Sequence, residues 1–144
     1  MKVSEIAAAE FGRALEVWEA SVRATHDFVS AADIEFFRPM VLAEFGQIQH
    51  LAGLRDDDDR LVGFVGVADA KVEMLFLDPE VRGQGGGKLL LDHAVRVFGG
   101  TSLDVNEQNQ QAVGFYLHQG FRITGRSPLD GLGKPYPLLH LALP

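Results

Sequence analysis

A glycine-rich segment in the middle of the chain gives the clearest chemical signal of the sequence. Four of the five residues from 83 to 87 are glycine, and the run Leu89–Phe98 that follows has the pattern of a helix. The first N–H groups of a helix have no partner within it and point outward, at the positive end of the helix dipole. Glycine lets a phosphate approach such backbone closely and permits positive φ angles. The segment therefore predicts a phosphate-binding loop.

Two familiar phosphate-binding patterns do not fit this loop. A nucleotide-binding P-loop needs a glycine, four further residues and then Gly-Lys-Ser/Thr, but Arg82 stands at the first glycine position and Leu89 replaces the hydroxyl residue that would bind Mg²⁺. A dinucleotide-binding loop needs the spacing G-x-G-x-x-G, and its third glycine position holds Lys88. The pattern that remains is Arg82-x-x-Gly85-x-Gly87.

Composition limits the class of protein that carries this loop. The chain has 144 residues, of which 47% are hydrophobic and 23% charged, which is typical of one globular domain over residues 1–144. No apolar run approaches the about 20 residues of a membrane helix, and the absence of cysteine excludes disulfides and thiolate metal sites. A net charge of −7 disfavours nucleic-acid binding. We expect a cytoplasmic protein with no nucleic-acid or membrane partner.

Hydrophobic periodicity predicts a mixed α/β protein with the element order β-α-α-β-β-β-α-β-α-β-β. Ser30 is expected to cap the second helix and Pro39 to kink it. Helices are predicted over Ala8–Ala24, Ala31–Phe45 and Leu89–Phe98 and within Asn106–Gln119. Strands are predicted over Lys2–Ile6, Gln47–Leu54, Leu61–Ala68, Val72–Leu77, Ser102–Val105, Phe121–Thr124 and Leu138–Leu143.

Two long segments of the chain resemble the GCN5-related N-acetyltransferase (GNAT) family. The segment VEMLFLDPEVRGQGGG resembles the central strand and acetyl-CoA loop of that family, and LDVNEQNQQAVGFYLHQGFRITGRS resembles its second conserved block. The resemblance, in particular to small bacterial members, covers nearly all of the chain. It implies the GNAT fold, a mixed sheet of about seven strands flanked by four helices, with a splayed pair of central parallel strands. It also implies an acetyl-CoA-dependent N-acetyltransferase that uses no metal.

The resemblance assigns the acetyl-CoA site to particular residues. It implies that a strand backbone bonds the pantetheine amides, that the glycine loop holds the pyrophosphate, and that two asparagines reach the pantetheine arm. Asn109 could also cap the helix that follows it. The family has a branched apolar residue at the position of Gly86, so the extra glycine predicts a loop that is mobile without cofactor. The implied cofactor residues are Leu75, Phe76, Leu77, Arg82, Gly83, Gln84, Gly85, Gly86, Gly87, Lys88, Asn106 and Asn109.

Two residues are the predicted acid and base. Tyr116 matches the family residue that protonates the leaving thiolate, although an aromatic residue at a helix end can also serve only for packing. Transfer of a proton from a phenol with a pKa near 10 to a thiolate whose conjugate acid has a pKa of about 8.5 is only modestly unfavourable in free energy. Glu73 is the candidate general base, expected to point away from Val72 and Met74. An exposed carboxylate at the end of the strand, paired with Lys71 or Arg96, is the alternative.

The acceptor site is predicted between the first two helices, where the family builds it. His26 could bind or deprotonate the acceptor, or be structural, with Trp18, Phe28 and Tyr136 as further lining residues. The expected acceptor is an amine of a small molecule, peptide or protein, acetylated by direct transfer in a ternary complex. A non-catalytic acyl-CoA-binding module is the alternative, and a monomer and a homodimer both stay open. The aspartates at 56–59 are predicted to form a solvated turn, and His140 to pack in the last strand.

Overall fold

One seven-stranded sheet organises the chain, which a computed structural model describes over residues 1–144. The element order is the predicted one. The strands are β1 (Lys2–Ser4), β2 (His50–Arg55), β3 (Leu61–Ala68), β4 (Lys71–Leu77), β5 (Ser102–Asn106), β6 (Arg122–Ser127) and β7 (Leu138–Ala142). The helices are α1 (Phe11–Thr25), α2 (Ala31–Phe45), α3 (Gly86–Arg96) and α4 (Gln110–His118).

The sheet is antiparallel except at its centre. Its order is β1-β2-β3-β4-β5-β7-β6, in which β4 and β5 form the only parallel pair. The predicted mixed sheet with four helices is confirmed. Ser30 caps α2 as expected, since its hydroxyl accepts a hydrogen bond from the Asp33 N–H at 3.1 Å, and the helix runs on past Pro39. No helix combines the length and the apolar character that crossing a bilayer requires.

Two apolar clusters cover the two faces of the sheet. Alternate residues of β3 point to opposite faces, and so Phe64 packs with α1 and α2 while Val65 packs with α3 and α4. Each face is thereby closed by a pair of helices over β3, which is buried from Leu61 to Val67. These helices fix the surroundings of the central parallel pair.

The pairing of β4 with β5 ends early. Only two positions are paired, Lys71 with Ser102 and Val72 with Leu103. Beyond them β4 continues to Leu77 and β5 to Asn106 without pairing to each other. The predicted splayed pair is confirmed, and the backbone groups that face the split, away from β3 and β7, are free to bind something else.

A β-bulge changes the orientation of Glu73. β3 and β4 shift register between Gly66, which pairs with Met74, and Val67, which pairs with Val72, so that Glu73 is the extra residue. As a result Val72 packs in the α3/α4 cluster and Met74 in the α1/α2 cluster. The expectation that Val72 and Met74 share one face opposite Glu73 is wrong, because regular alternation fails at a bulge.

Helix α3 begins inside the glycine segment, three residues before the predicted start at Leu89. Gly85 precedes the helix with a positive φ of 85°, and Gly86 is its first residue. A Cβ atom on Gly86 would lie 2.6 Å from Leu54 Cδ2 and 3.3 Å from Leu77 Cδ2. The third glycine therefore has a packing reason, because it lets the start of α3 contact β2 and β4 directly.

We expect Gly86→Ala to destabilise the protein, because its Cβ would displace Leu54. The expected loss is about 1–3 kcal/mol of the free energy of unfolding, the usual cost of overpacking a core. Gly114→Ala is the matched control, since Gly114 lies inside α4 with open space around it and should gain about 0.5–1 kcal/mol. Urea unfolding measures both. Equal stability of Gly86→Ala and the wild type would contradict the packing argument.

Candidate active site

A cleft of about 410 Å³ opens beside the split between β4 and β5. Its walls are the end of β4, the glycine loop, the start of α3, helix α4 and the last turn of α1. The lining residues are Ser21, Thr25, His26, Leu75, Phe76, Leu77, Arg82, Gly83, Gly85, Gly86, Gly87, Lys88, Asn109, Gln111, Ala112, Phe115 and Tyr116.

The structure brings together most of the residues that the sequence singled out. The three residues of β4, the loop and Asn109 share the cleft with Tyr116 and His26. Two predicted cofactor residues, Gln84 and Asn106, are absent from its lining. Asn106 lies at the end of β5, where its carbonyl accepts a hydrogen bond from the Asn109 N–H at 2.9 Å. It thereby positions Asn109, which does line the cleft.

The start of α3 offers unpaired donors to the cleft. The N–H groups of Gly86, Gly87 and Lys88 precede the first intrahelical hydrogen bond, which Leu89 donates to the Gly85 carbonyl at 3.2 Å. Gly83 also has a positive φ, of 77°. Backbone of this kind, without Cβ atoms and at the positive end of a helix, fits a pyrophosphate.

Asp78 fixes the loop at its other end. Its carboxylate accepts hydrogen bonds from the Glu80 N–H at 3.0 Å and from Arg13 Nη2 at 3.0 Å. Arg13 also donates through Nε to the Leu61 carbonyl at 3.0 Å. Because Asp78 is buried, this ion pair ties the exit of β4, where the glycine loop begins, to α1 and β3.

Tyr116 presents its hydroxyl to the cleft. The ring is buried against Phe115 and Phe121, at centroid distances of 5.3 Å and 6.0 Å. The hydroxyl makes no hydrogen bond within the protein. Every fully buried side-chain polar atom of the protein has a partner, so the Tyr116 oxygen is not fully buried and is accessible from the cleft. Burial raises the pKa of Tyr116, and the phenol stays protonated at physiological pH. It is a proton donor without a competing partner.

His26 lies across the cleft from α4 as a neutral imidazole. Asn109 Oδ1 accepts a hydrogen bond from the Ala112 N–H at 3.2 Å, so its Nδ2 is the donor that faces His26 Nε2 at 3.4 Å. Thr25 Oγ1 donates to the Ser21 carbonyl at 2.7 Å and lies 2.7 Å from His26 Nδ1, which therefore carries the ring proton. Burial lowers the pKa of His26 to about 4, although the negative charge of Asp27 acts to raise it.

Two predicted site residues lie away from the cleft. Glu73 is exposed on the bulge of β4 and is absent from the lining, and partial desolvation by its neighbours raises the pKa of its carboxylate although the charge of Lys71 acts to lower it. Trp18 is 5% exposed and packs in the α1/α2 cluster. Trp18 lies in the core because it belongs to the apolar stripe of α1, which faces the sheet.

Phe28 and Tyr136 form a row of rings that continues outward from His26. The Phe28 centroid lies 5.2 Å from that of His26 and 6.1 Å from that of Tyr136. The Tyr136 hydroxyl donates to the Asp33 carboxylate, which also pairs with Lys134 Nζ at 2.8 Å. These contacts tie the loop before β7 to the start of α2, beside the cleft rather than in its lining.

Sequence reasoning missed several lining residues. Ser21 and Thr25 are small polar residues four positions apart on α1, one turn before His26, and this helical spacing could have identified them. Ala112 lies three residues after Asn109 and four before Tyr116, on the same face of α4. Gln111 accepts a hydrogen bond from Arg82 across the mouth of the cleft, a contact for which the sequence gives no signal. The last missed residue is Phe115.

Comparison with known proteins gives the family. Residues 21–130 match the family model described as an acetyltransferase (GNAT) domain. The chain belongs to the GNAT family of acetyltransferases. It is 47% identical over 130 residues to the peptidyl-lysine N-acetyltransferase YjaB of Salmonella typhimurium, covering 90% of this chain and 89% of that protein. Over 126 residues it is 44% identical to YjaB of Escherichia coli, covering 88% and 85%.

Solved structures agree with this assignment. The solution structure of apo YjaB from Escherichia coli matches with a TM-score of 0.89 at 40% identity, covering 98% of this chain and 95% of that one. The PaiA N-acetyltransferase of Thermoplasma acidophilum, solved in complex with coenzyme A, shares the fold with a TM-score of 0.74 at 20% identity, covering 99% and 98%. The GNAT fold inferred from the two sequence segments is confirmed, and the chain is an acetyltransferase of that fold.

The neutral state of His26 predicts how stability depends on pH. The folded-state pKa of about 4 lies below the ordinary value of 6.5, so the unfolded chain binds more protons between these values. The contribution of the neutral imidazole to the free energy of unfolding is fully present above pH 6.5 and is lost as the pH falls towards 4. The free energy of unfolding decreases by at most about 1.4 kcal/mol per pH unit in this range. Urea unfolding between pH 7.5 and 5 measures this loss.

The matched comparison replaces one histidine at a time. His26→Gln should flatten the loss of stability between pH 6.5 and 5, whereas His118→Gln, on the exposed end of α4, should leave it as in the wild type. The same pH dependence in all three proteins would show that His26 is not held neutral by the fold.

Proposed function

We propose that this chain acetylates the ε-amine of lysine side chains in peptides or proteins, by direct transfer from acetyl-CoA in a ternary complex. The observation that carries the proposal is that one cleft joins an anion-binding helix start, a protonated phenol and a neutral imidazole. The acceptor class is supported by two relatives, 47% and 44% identical, that are named peptidyl-lysine N-acetyltransferases.

The chain would hold acetyl-CoA mainly through its main chain. The N–H groups of Gly86, Gly87 and Lys88 would receive the pyrophosphate, and the edge of Leu75–Leu77 that faces away from β3, towards the split, would bond the pantetheine amides. Lys88 adds a positive charge at the same end of α3, although Asp92 pairs with it at 2.7 Å. When bound, acetyl-CoA supplies the thioester whose acetyl group is transferred.

Tyr116 would supply the proton that the leaving sulfur needs. Its hydroxyl faces the cleft with no partner in the protein, so it can donate without first breaking a hydrogen bond. Its raised pKa keeps the proton in place until a thiolate develops beside it. A single such donor typically accelerates a reaction by about 10²–10⁴-fold.

His26 would orient the acceptor amine. Its bare Nε2 is held only by the long contact of 3.4 Å to Asn109, so an incoming amine N–H can replace that donor. A pKa of about 4 makes this nitrogen a hydrogen-bond acceptor rather than a lasting holder of the proton, which would pass to water. Glu73 stays a second candidate for the base, reached through solvent from its exposed position on β4.

An acceptor panel tests the proposal directly. Release of free thiol from acetyl-CoA would be measured with lysine peptides blocked at the N-terminus, with free amino acids and with polyamines. Turnover with the blocked peptides is expected. Turnover with polyamines alone would contradict the acceptor class, and binding of acetyl-CoA without turnover on any amine would favour the non-catalytic module.

Tyr116→Phe should lower kcat by about 10²-fold or more and change the Kd of CoA by less than about threefold, because only the transferred proton is removed. Tyr136→Phe is the matched control, as this is the only other tyrosine and its hydroxyl bonds Asp33 outside the cleft. Steady-state kinetics and calorimetry give the two constants. An unchanged kcat in Tyr116→Phe would remove this residue from the mechanism.

Arg82→Glu should weaken CoA binding by about tenfold, because it puts a negative charge at the mouth of a site built for a pyrophosphate. Arg122→Glu makes the same charge change on β6, outside the cleft, and should leave the Kd of CoA near that of the wild type. Calorimetric titration at two salt concentrations compares them. Equal affinities for the two variants would argue against a charge contribution from the loop.

A further inference from the structure

Three side chains outside the cleft form a hydrogen-bonded series across β5, β7 and β6. Ser127 Oγ lies 2.7 Å from His140 Nε2, and His140 Nδ1 lies 2.6 Å from Asp104 Oδ1. Asp104 and His140 are direct cross-strand partners, and Ser127 lies two positions along β6 from Gly125, the β6 partner of His140. The alternation of β-strands therefore places all three side chains on one face of the sheet.

The direction of the hydrogen bonds follows from the partners. The Asp104 carboxylate can only accept, so His140 Nδ1 carries the ring proton and Nε2 is free to accept from the Ser127 hydroxyl. Lys71 Nζ lies 2.7 Å from Asp104 Oδ2, the other carboxylate oxygen. Burial acts to raise the pKa of Asp104, but the hydrogen bonds from Lys71 and His140 outweigh it, and the pKa is lowered. Asp104 is thus an anion that orients the ring.

This series has the order of groups that activates a serine. An imidazole with a bare nitrogen on the hydroxyl can take its proton, and a carboxylate on the far side of the ring stabilises the charge that results. Thr124 provides a contrast on the same strand, because its hydroxyl donates to the backbone carbonyl of His140 and touches no base. The expectation that His140 only fills the last strand is therefore too narrow.

The three groups are open to a small reagent. The side chains of His140 and Asp104 are 37% and 24% exposed. β6, which carries Ser127, is the last strand of the sheet and has no strand beyond it. None of the three residues lines the acetyl-CoA cleft, so a reaction here would be independent of the proposed acetyl transfer.

We propose that Ser127, His140 and Asp104 form a second acyl-transfer site, which cleaves small activated esters such as aryl acetates. The Ser127 oxygen bonds to the acyl carbon as its proton moves to His140 Nε2, and the bond from that carbon to the aryl oxygen breaks. The proton then passes from His140 to the aryl oxide. Water hydrolyses the acyl-serine, releasing the carboxylic acid and restoring the hydroxyl. Turnover is slow, because an open site stabilises developing charge less than a buried one.

Covalent labelling is the first test. The full-length protein would be treated with an alkyl fluorophosphonate, a reagent selective for activated serines, and the adduct located by mass spectrometry of peptides. Labelling at Ser127 is expected, and His140→Asn should slow it at least tenfold. Thr124→Ala is the control and should label like the wild type. An unlabelled Ser127, or equal labelling rates in the wild type and His140→Asn, would overturn the proposal.

Ester hydrolysis is the second test. Release of p-nitrophenol from p-nitrophenyl acetate would be followed without CoA, and Ser127→Ala should lower the rate about 10²-fold, towards background. His118→Asn controls for the reaction of any exposed imidazole with this ester, and should leave the rate unchanged. Acetyl-CoA-dependent thiol release by Ser127→Ala, retained at the wild-type level, shows that the variant is folded. Hydrolysis by folded Ser127→Ala at the wild-type rate would overturn the proposal.

Discussion

The short pairing of β4 with β5 is the constraint on which the rest of the structure depends. Buried backbone N–H and C=O groups need partners, and a parallel pair normally supplies them along its length. Here the pairing stops at Val72 and Leu103, and the cleft begins where it stops. Where the two strands diverge, a salt bridge between Lys71 Nζ and Asp104 Oδ2, 2.7 Å long, links β4 to β5. On its far side β5 pairs with β7 over its whole length, so the opening does not divide the sheet.

Close contacts tie together the elements around the split, and they explain part of the use of glycine. Arg13 and Asp78 fix the end of β4, and Gly86 packs so closely on Leu54 that a methyl group would clash. Glycine thus serves two different needs in five residues. At Gly83 and Gly85 it permits positive φ, whereas at Gly86 it permits close packing. A ligand at this helix start would meet backbone donors whose positions the fold has already set.

The sequence predicted what depends on local pattern and missed what depends on distant partners. The bounds of α2 and β3 agree with prediction, because periodicity and the Ser30 cap are local signals. The helix α3 starts three residues before the predicted position, because glycines are poor helix formers and the sequence carries no signal of the close packing of Gly86 on Leu54. The predicted orientation of Glu73 is wrong, because the bulge depends on how β4 pairs with β3. The glycines alone indicate a phosphate-binding loop, whereas the assignment of that loop and of Tyr116 to an acetyl-CoA site rests on the resemblance of the two segments.

The contact of Asn109 with His26 shows why the site could not be assembled from the sequence alone. The two residues are 83 positions apart, yet the same amide caps α4 through Oδ1 and faces the imidazole through Nδ2. The helix that carries Tyr116 and the turn that carries His26 are therefore set relative to each other by one side chain. The sequence offered two uses for Asn109, as a helix cap and as a ligand of the cleft. The helix cap determines how Asn109 faces the cleft. Because Oδ1 accepts from the Ala112 N–H, Nδ2 is the amide group that points into the cleft.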